Sequence, residues 1–185
     1  RDRSRIVDDN FNKRLLFIKE NTDLPIILFP GDSSQISDNA EAILFLSLLS
    51  GRNPKYLIEE QVISARRINE LNIEVIPTGY LLLKTEKKSA VELISNTTPL
   101  DMSNTNNVID HCLAAQYMGN KLLFLECGSN SDSSIELSLL KQIKNKITIP
   151  LMVGGGIKNK EMALNLAESG VSYLVIGSLI EQTLD

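Results

Sequence analysis

Apolar residues fall along this chain in short unbroken runs at Pro25–Phe29, Ala42–Leu46, Glu74–Pro77, Leu122–Glu126, Pro150–Gly155 and Tyr173–Gly177. Continuous rather than alternating apolarity predicts strands buried on both faces of a parallel sheet. Between the runs the spacing turns helical. Leu57, Ile58, Ala65, Ile68 and Leu71 share one stripe, Ile135, Leu139, Leu140 and Ile143 a second, and Met162, Ala163, Leu166 and Ala167 a third. Asn159 stands where the last of these helices needs an N-cap and Gly170 where it needs a left-handed C-terminal residue. Strand and helix in alternation imply right-handed βαβ units. The stretches Asn96–Asn107 and Gly128–Ser134 read as polar loops.

Two architectures fit this rhythm, an open doubly wound sheet and a (β/α)8 TIM barrel. A complete barrel takes about 250 residues, against 185 here. We expect an α/β barrel in one domain over residues 1–185, lacking its N-terminal strand or strands and its C-terminal helix. The chain opens on Arg1 rather than Met, and residues 1–7 read as the remnant of something longer. The segment from Gly31 to Glu41 is too short for a crossover helix with its loops, so the third βα unit should be irregular.

A formal charge of −4 gives no basic footprint for a nucleic-acid backbone. No apolar run approaches the roughly 20 residues of a spanning helix. Cys112 and Cys127 have the spacing of neither a redox pair nor a zinc site and suggest reduced thiols in a cytoplasmic protein.

Three places carry candidate chemistry. Gly154-Gly155-Gly156 closes one strand ahead of a helix, and Gly177-Ser178 closes the next; in the last two strands of a barrel such a pair forms a phosphate site. The competing reading is tight turns that need positive φ. Glu126 ends the run Leu122–Leu125, at the catalytic mouth of a barrel, and is the candidate general base. An ion-paired strand-end glutamate is its plainer reading. Gly128 and Ser129 follow it and offer an amide and a hydroxyl to the same anion, or form an ordinary turn. Phe45, Leu48, Thr78 and Tyr80 combine apolar walls with small polar groups, as a pocket for a hydrophobic chain would, or they are core layers. Arg52 offers a cation to a diphosphate, and His111 reads as a surface or packing residue.

The blocks LFPG (28–31), LFLSLLSGRNP (44–54), EVIPTGY (74–80), SNTTP (95–99), LLFLECGS (122–129), PLMVGGGI (150–157) and VIGSLIE (175–181) resemble, in order and over nearly the whole chain, the geranylgeranylglyceryl phosphate synthase family. The likeness is to the bacterial members of its archaeal-like group. The resemblance implies a TIM barrel that transfers a polyprenyl (geranylgeranyl) group from its diphosphate to the 3-hydroxyl of sn-glycerol 1-phosphate, with Mg2+. It implies Glu126 as the catalytic carboxylate, and Phe124, Gly128, Ser129, Gly155, Gly156, Gly177 and Ser178 as acceptor or phosphate contacts. Phe45, Leu48, Thr78 and Tyr80 would take the prenyl chain, and Ser4 would be a ligand on the magnesium side. The family's aspartate-rich first strand is absent from this sequence. Phe124 replaces a tyrosine, Asn130 a glycine, Asp2-Arg3 a glycine pair, and Thr85-Glu86 a further glycine pair. These departures keep two alternatives in view: another phosphorylated acceptor such as phosphoglycerate, and a non-catalytic barrel that binds a phosphorylated ligand. A sugar-phosphate aldolase or isomerase is disfavoured, because no predicted strand ends in Lys or His. A homo-oligomer without a transmembrane segment is expected, touching a membrane peripherally to release product.

Overall fold

The computed structural model describes residues 9–128, 131, 133–177 and 179–180. In chain order the elements are α1 (Asp9–Asn21), β1 (Ile27–Leu28), β2 (Ala42–Leu48), a π-helical turn (Lys55–Glu59) leading into α2 (Glu60–Leu71), and β3 (Glu74–Leu82). These are followed by α3 (Ala90–Ser95), α4 (Thr105–Tyr117), β4 (Leu122–Glu126), α5 (Leu137–Lys144), β5 (Leu151–Gly154), α6 (Lys160–Glu168) and β6 (Tyr173–Val175). Each strand's neighbour in the sheet is its neighbour in sequence, and the described pairs are parallel. Six strands are found among the described residues, so the fold is α/β with a parallel sheet, and a complete eight-stranded barrel is not shown.

The chain packs as two compact units, Arg1–Ser47 with Pro54–Pro77, and Leu48–Asn53 with Thr78–Asp185. In the first unit Leu28, Ile36, Ala40 and Ile43 form an apolar cluster with Leu15 of α1 and Ile68 of α2. Between β1 and β2 the chain makes turns and no helix, as the short Gly31–Glu41 spacing requires. The stripe read through Leu57 and Ile58 does not hold. Ile58 and Ala65 are exposed, while Ile68 is buried. The π-helical turn inserts an extra residue per turn and rotates the following face, so a 3.6-residue count begun at Leu57 loses phase.

In the second unit the pleat sorts side chains onto two faces. Leu81, Leu83, Leu123, Leu125, Leu151 and Val153 share one face, in a core with Val108, Cys112 and Ala115 of α4, Leu139, Leu140 and Ile143 of α5, and Leu166 of α6. All three helices pack on that face, whereas a doubly wound sheet would carry helices on both. Gly79 belongs to it as well, because a Cβ there would stand 2.7 Å from the Ala115 Cβ, so its glycine lets α4 sit close. The other face carries Thr78, Tyr80 and Leu82 of β3 in register with Leu122, Phe124 and Glu126 of β4, then Met152 and Gly154 of β5.

Two boundaries differ from the sequence reading. β3 continues through Pro77-Thr78-Gly79-Tyr80 rather than stopping, and since its ladder with β4 starts at Thr78, the missing Pro77 N–H removes no bond from it. α4 begins inside the expected polar loop at Thr105, because the Asn104 side chain accepts the Asn107 N–H and caps it.

Leu140→Ala should cost about 2–5 kcal/mol of stability by opening a cavity under α5. Leu137→Ala, on the exposed side of the same helix, should stay within about 0.5 kcal/mol. Chemical denaturation midpoints of the two variants check the assignment of faces.

Candidate functional site

Glu126 is the last residue of β4 and is buried, 9% exposed. The Tyr80 hydroxyl donates to its Oε2 at 3.0 Å. Tyr80 is held in turn by Phe124. The two rings stack at 5.2 Å between centroids and 10° between planes, as their paired positions in the β3–β4 register dictate. Beneath them Gly154 lets Phe124 lie close, since a Cβ at Gly154 would stand 3.1 Å from two atoms of that ring.

Burial is the largest influence on the Glu126 carboxyl and pushes it above the ordinary glutamate range, while the Tyr80 hydroxyl and Gly128 amide pull it back. The Tyr80 phenol is itself pushed far up, by burial first and the neighbouring carboxylate second, so it remains a donor. Burial also pushes the thiols of Cys127 and Cys112 up to about 12, and neither is in a disulfide. The result is a carboxylate of raised proton affinity, with one neutral hydroxyl fixed against it. That is the equipment of a general base.

The glycines around it are of two kinds. Gly128, Gly155 and Gly156 have φ of +88°, +84° and +70°. A Cβ at Gly155 would lie 2.7 Å from the backbone N and O of Gly128, and one at Gly156 would clash with the Ser133 carbonyl oxygen. Backbone conformation and close packing therefore require glycine at both positions, as the turn reading anticipated. Gly177, past the end of β6, has no such conformation, and a Cβ there meets nothing within 4 Å among the described residues. Among the described residues its glycine leaves open space at the ends of the strands.

The structure thus brings Glu126, Phe124, Tyr80, Gly128 and Gly155 together. Thr78 is buried on the same face of β3 as Tyr80, and Leu48 is buried. Phe45 lies elsewhere. It packs in the apolar cluster of the first unit with Leu28 and Ile43, and an odd separation of three along β2 turns Leu48 to the opposite face. Arg52 donates to the carbonyls of Leu49 and Gly51 in its own loop, at 3.1 and 2.6 Å. His111 Nδ1 bonds the Asn107 carbonyl within α4 at 2.8 Å, away from this face. Ser4, Ser129, Asn130 and Ser178 lie outside the described residues. Among the described residues no group of three or more His, Cys, Asp or Glu is placed to hold a metal ion. The Tyr80–Glu126 bond went unread in the sequence. Its only signal there is that both residues lie near the C-terminal ends of consecutive strands.

The PcrB family matches residues 4–185. The chain is 43% identical over 164 residues to a geranylgeranylglyceryl phosphate synthase of Flavobacterium johnsoniae, covering 89% of this chain and 68% of that protein. It is 36% identical over 177 residues to one of Methanosphaera stadtmanae, covering 96% and 72%. Among solved structures it resembles (S)-3-O-geranylgeranylglyceryl phosphate synthase from Thermoplasma acidophilum in complex with its substrate sn-glycerol-1-phosphate. The TM-score is 0.87 at 34% identity, over 92% of this chain and 68% of that one.

Burial of Glu126 has a pH signature. The native carboxyl binds its proton more tightly than the unfolded one, whose pKa is about 4.3, so the native state gains stability as pH falls through the raised value and loses it as pH rises. Glu126→Gln removes that charge. The variant should have a higher denaturation midpoint than wild type at pH 7, with the difference vanishing near pH 4, about where the unfolded carboxyl takes up its proton. Equal midpoints at pH 7 would contradict a desolvated carboxylate.

Proposed function

The chain belongs to the PcrB family, and on that premise we propose that it is a prenyltransferase forming an ether bond between a polyprenyl (geranylgeranyl) diphosphate and sn-glycerol 1-phosphate. The observation that carries the proposal is Glu126, a buried carboxylate at a strand end, held by a neutral hydroxyl and flanked by glycine backbone. Relatives named for this reaction, and a similar structure holding sn-glycerol-1-phosphate, support it.

The chemistry follows from the residues. The acceptor phosphate lies against backbone N–H groups of the glycine-rich strand ends, with Gly177 leaving room for it. The 3-hydroxyl oxygen attacks the first carbon of the allylic chain as the carbon–oxygen bond to the diphosphate breaks. Glu126 takes the hydroxyl proton, and the diphosphate leaves with the bonding pair. An ordinary glutamate is a weak base toward an alcohol; burial strengthens this one, and late proton transfer to it suffices once the attacked carbon is electron-poor. Thr78 and Leu48 remain candidates for the prenyl wall. Magnesium is proposed from the resemblance alone, and no step here is assigned to it. An eight-stranded barrel in the whole protein, a homo-oligomer, a cytoplasmic location and peripheral membrane contact for product release belong to the same proposal.

A second acceptor is favoured by one observation. Phe124 stands where the family has a tyrosine, and its ring is committed to the stack with Tyr80, so no hydroxyl reaches the acceptor from that position. Phosphoglycerate is the alternative to test.

Transfer of labelled prenyl groups to sn-glycerol 1-phosphate should be measurable, and Glu126→Gln should lower it by about 10²–10⁴-fold, the usual contribution of a general base. Loss of only a fewfold would remove Glu126 from that role. Activity with phosphoglycerate and none with glycerol phosphate would move the reading to the second acceptor.

Gly177→Val should fold normally, since its side chain meets open space, yet lose glycerol phosphate binding by calorimetry. Affinity equal to wild type would place the phosphate elsewhere.

A further inference from the structure

We infer that Tyr80 is a positioning residue for the general base, its hydroxyl fixing the direction of the Glu126 carboxylate and keeping it ready to accept a proton. The inference rests on the prenyltransferase reading for its chemistry and reassigns Tyr80 from the wall of the prenyl pocket.

The geometry has three parts. The 3.0 Å bond from the Tyr80 hydroxyl to Glu126 Oε2 occupies one direction around the carboxylate. The Tyr80 ring is 5% exposed and stacked on Phe124, so the hydroxyl cannot swing away without breaking the stack. The register places Tyr80 beside Phe124 and Leu82 beside Glu126, so the tyrosine reaches forward along β3 to meet the carboxylate from the adjoining strand. The Gly128 amide also favours the charged carboxylate, and Gly155 packs directly on the Gly128 backbone. A glutamate side chain has three rotatable bonds, and a base that must meet one hydroxyl in one direction gains rate from having them fixed.

The hydroxyl also bears on protonation. A donor to the charged form opposes the desolvation that burial imposes. Among the described residues the titratable groups facing Glu126 are Tyr80 of β3 and the adjacent Cys127, both neutral near pH 7. Its neighbours across the sheet, Gly154 of β5 and then Val175 of β6, carry none. Removing the Tyr80 hydroxyl should therefore raise the Glu126 pKa.

Tyr80→Phe keeps the ring stack and deletes only the donor. The acid limb of its kcat–pH profile should move to higher pH by about one unit, the size of one hydrogen bond to a charged group, with KM for both substrates little changed. A merely structural tyrosine would lower kcat equally at every pH. The independent readout is the carboxyl carbon of Glu126, followed by NMR in protein labelled at glutamate carboxyls and assigned with Glu126→Gln. Its titration should shift upward in Tyr80→Phe. Replacing tyrosines with 3-fluorotyrosine, a stronger donor of the same shape, should shift it downward, and this serves if the phenylalanine variant does not fold. An unmoved carboxyl titration overturns the inference even where prenyl transfer is confirmed. Absence of prenyl transfer in wild type overturns the functional reading, while the carboxyl titration still decides whether Tyr80 holds Glu126.

Discussion

A carboxylate kept out of water at the end of β4 is the constraint around which the second unit is arranged. An ionised group there is costly by itself, so the structure surrounds Glu126 with donors and secures each donor by packing. Tyr80 is secured by the Phe124 ring, and Gly128 by the bare backbone of Gly155. The binding energy for this comes from the other side of the sheet. Each leucine of the opposite face, buried against α4, α5 and α6, contributes about 1.5–3 kcal/mol, and that face holds the strands in the register that brings Tyr80 to Glu126.

The division of labour between faces explains why the site tolerates unfavourable chemistry. A single strand, β4, puts Leu123 and Leu125 into the helix-side core and Phe124 and Glu126 onto the opposite face. The desolvated carboxyl sits at a strand end, where a functional group is useful, and stability is drawn from the middle of the element. The glycines follow the same division. Those after β5 are demanded by backbone conformation and close packing, while the one after β6 is demanded by neither.

Relatives of this chain named as geranylgeranylglyceryl phosphate synthases come from bacteria and archaea, and the chain spans 68% and 72% of the two described above. In this chain Phe124 supports Tyr80 by stacking, which sets an aromatic pair at the centre of the site.

The sequence by itself determined the parallel α/β rhythm, the helix-free link between β1 and β2, the caps of α6 and the candidacy of Glu126. Each of these rests on neighbours within a few residues: continuous apolar runs, a spacing too short for a helix, an Asn one position before a helix, a charge ending an apolar strand. Only the tertiary structure decided which face each strand residue takes relative to the helices, and so that Phe45 belongs to a core. It also decided that Ile58 is exposed within a π-helical turn, that Gly155 is fixed by the backbone of Gly128, and that Tyr80 bonds Glu126. These depend on strand register and on the phase of a turn, which are set by packing between residues distant in sequence. A side chain 46 positions away leaves no periodic trace that a local pattern could carry.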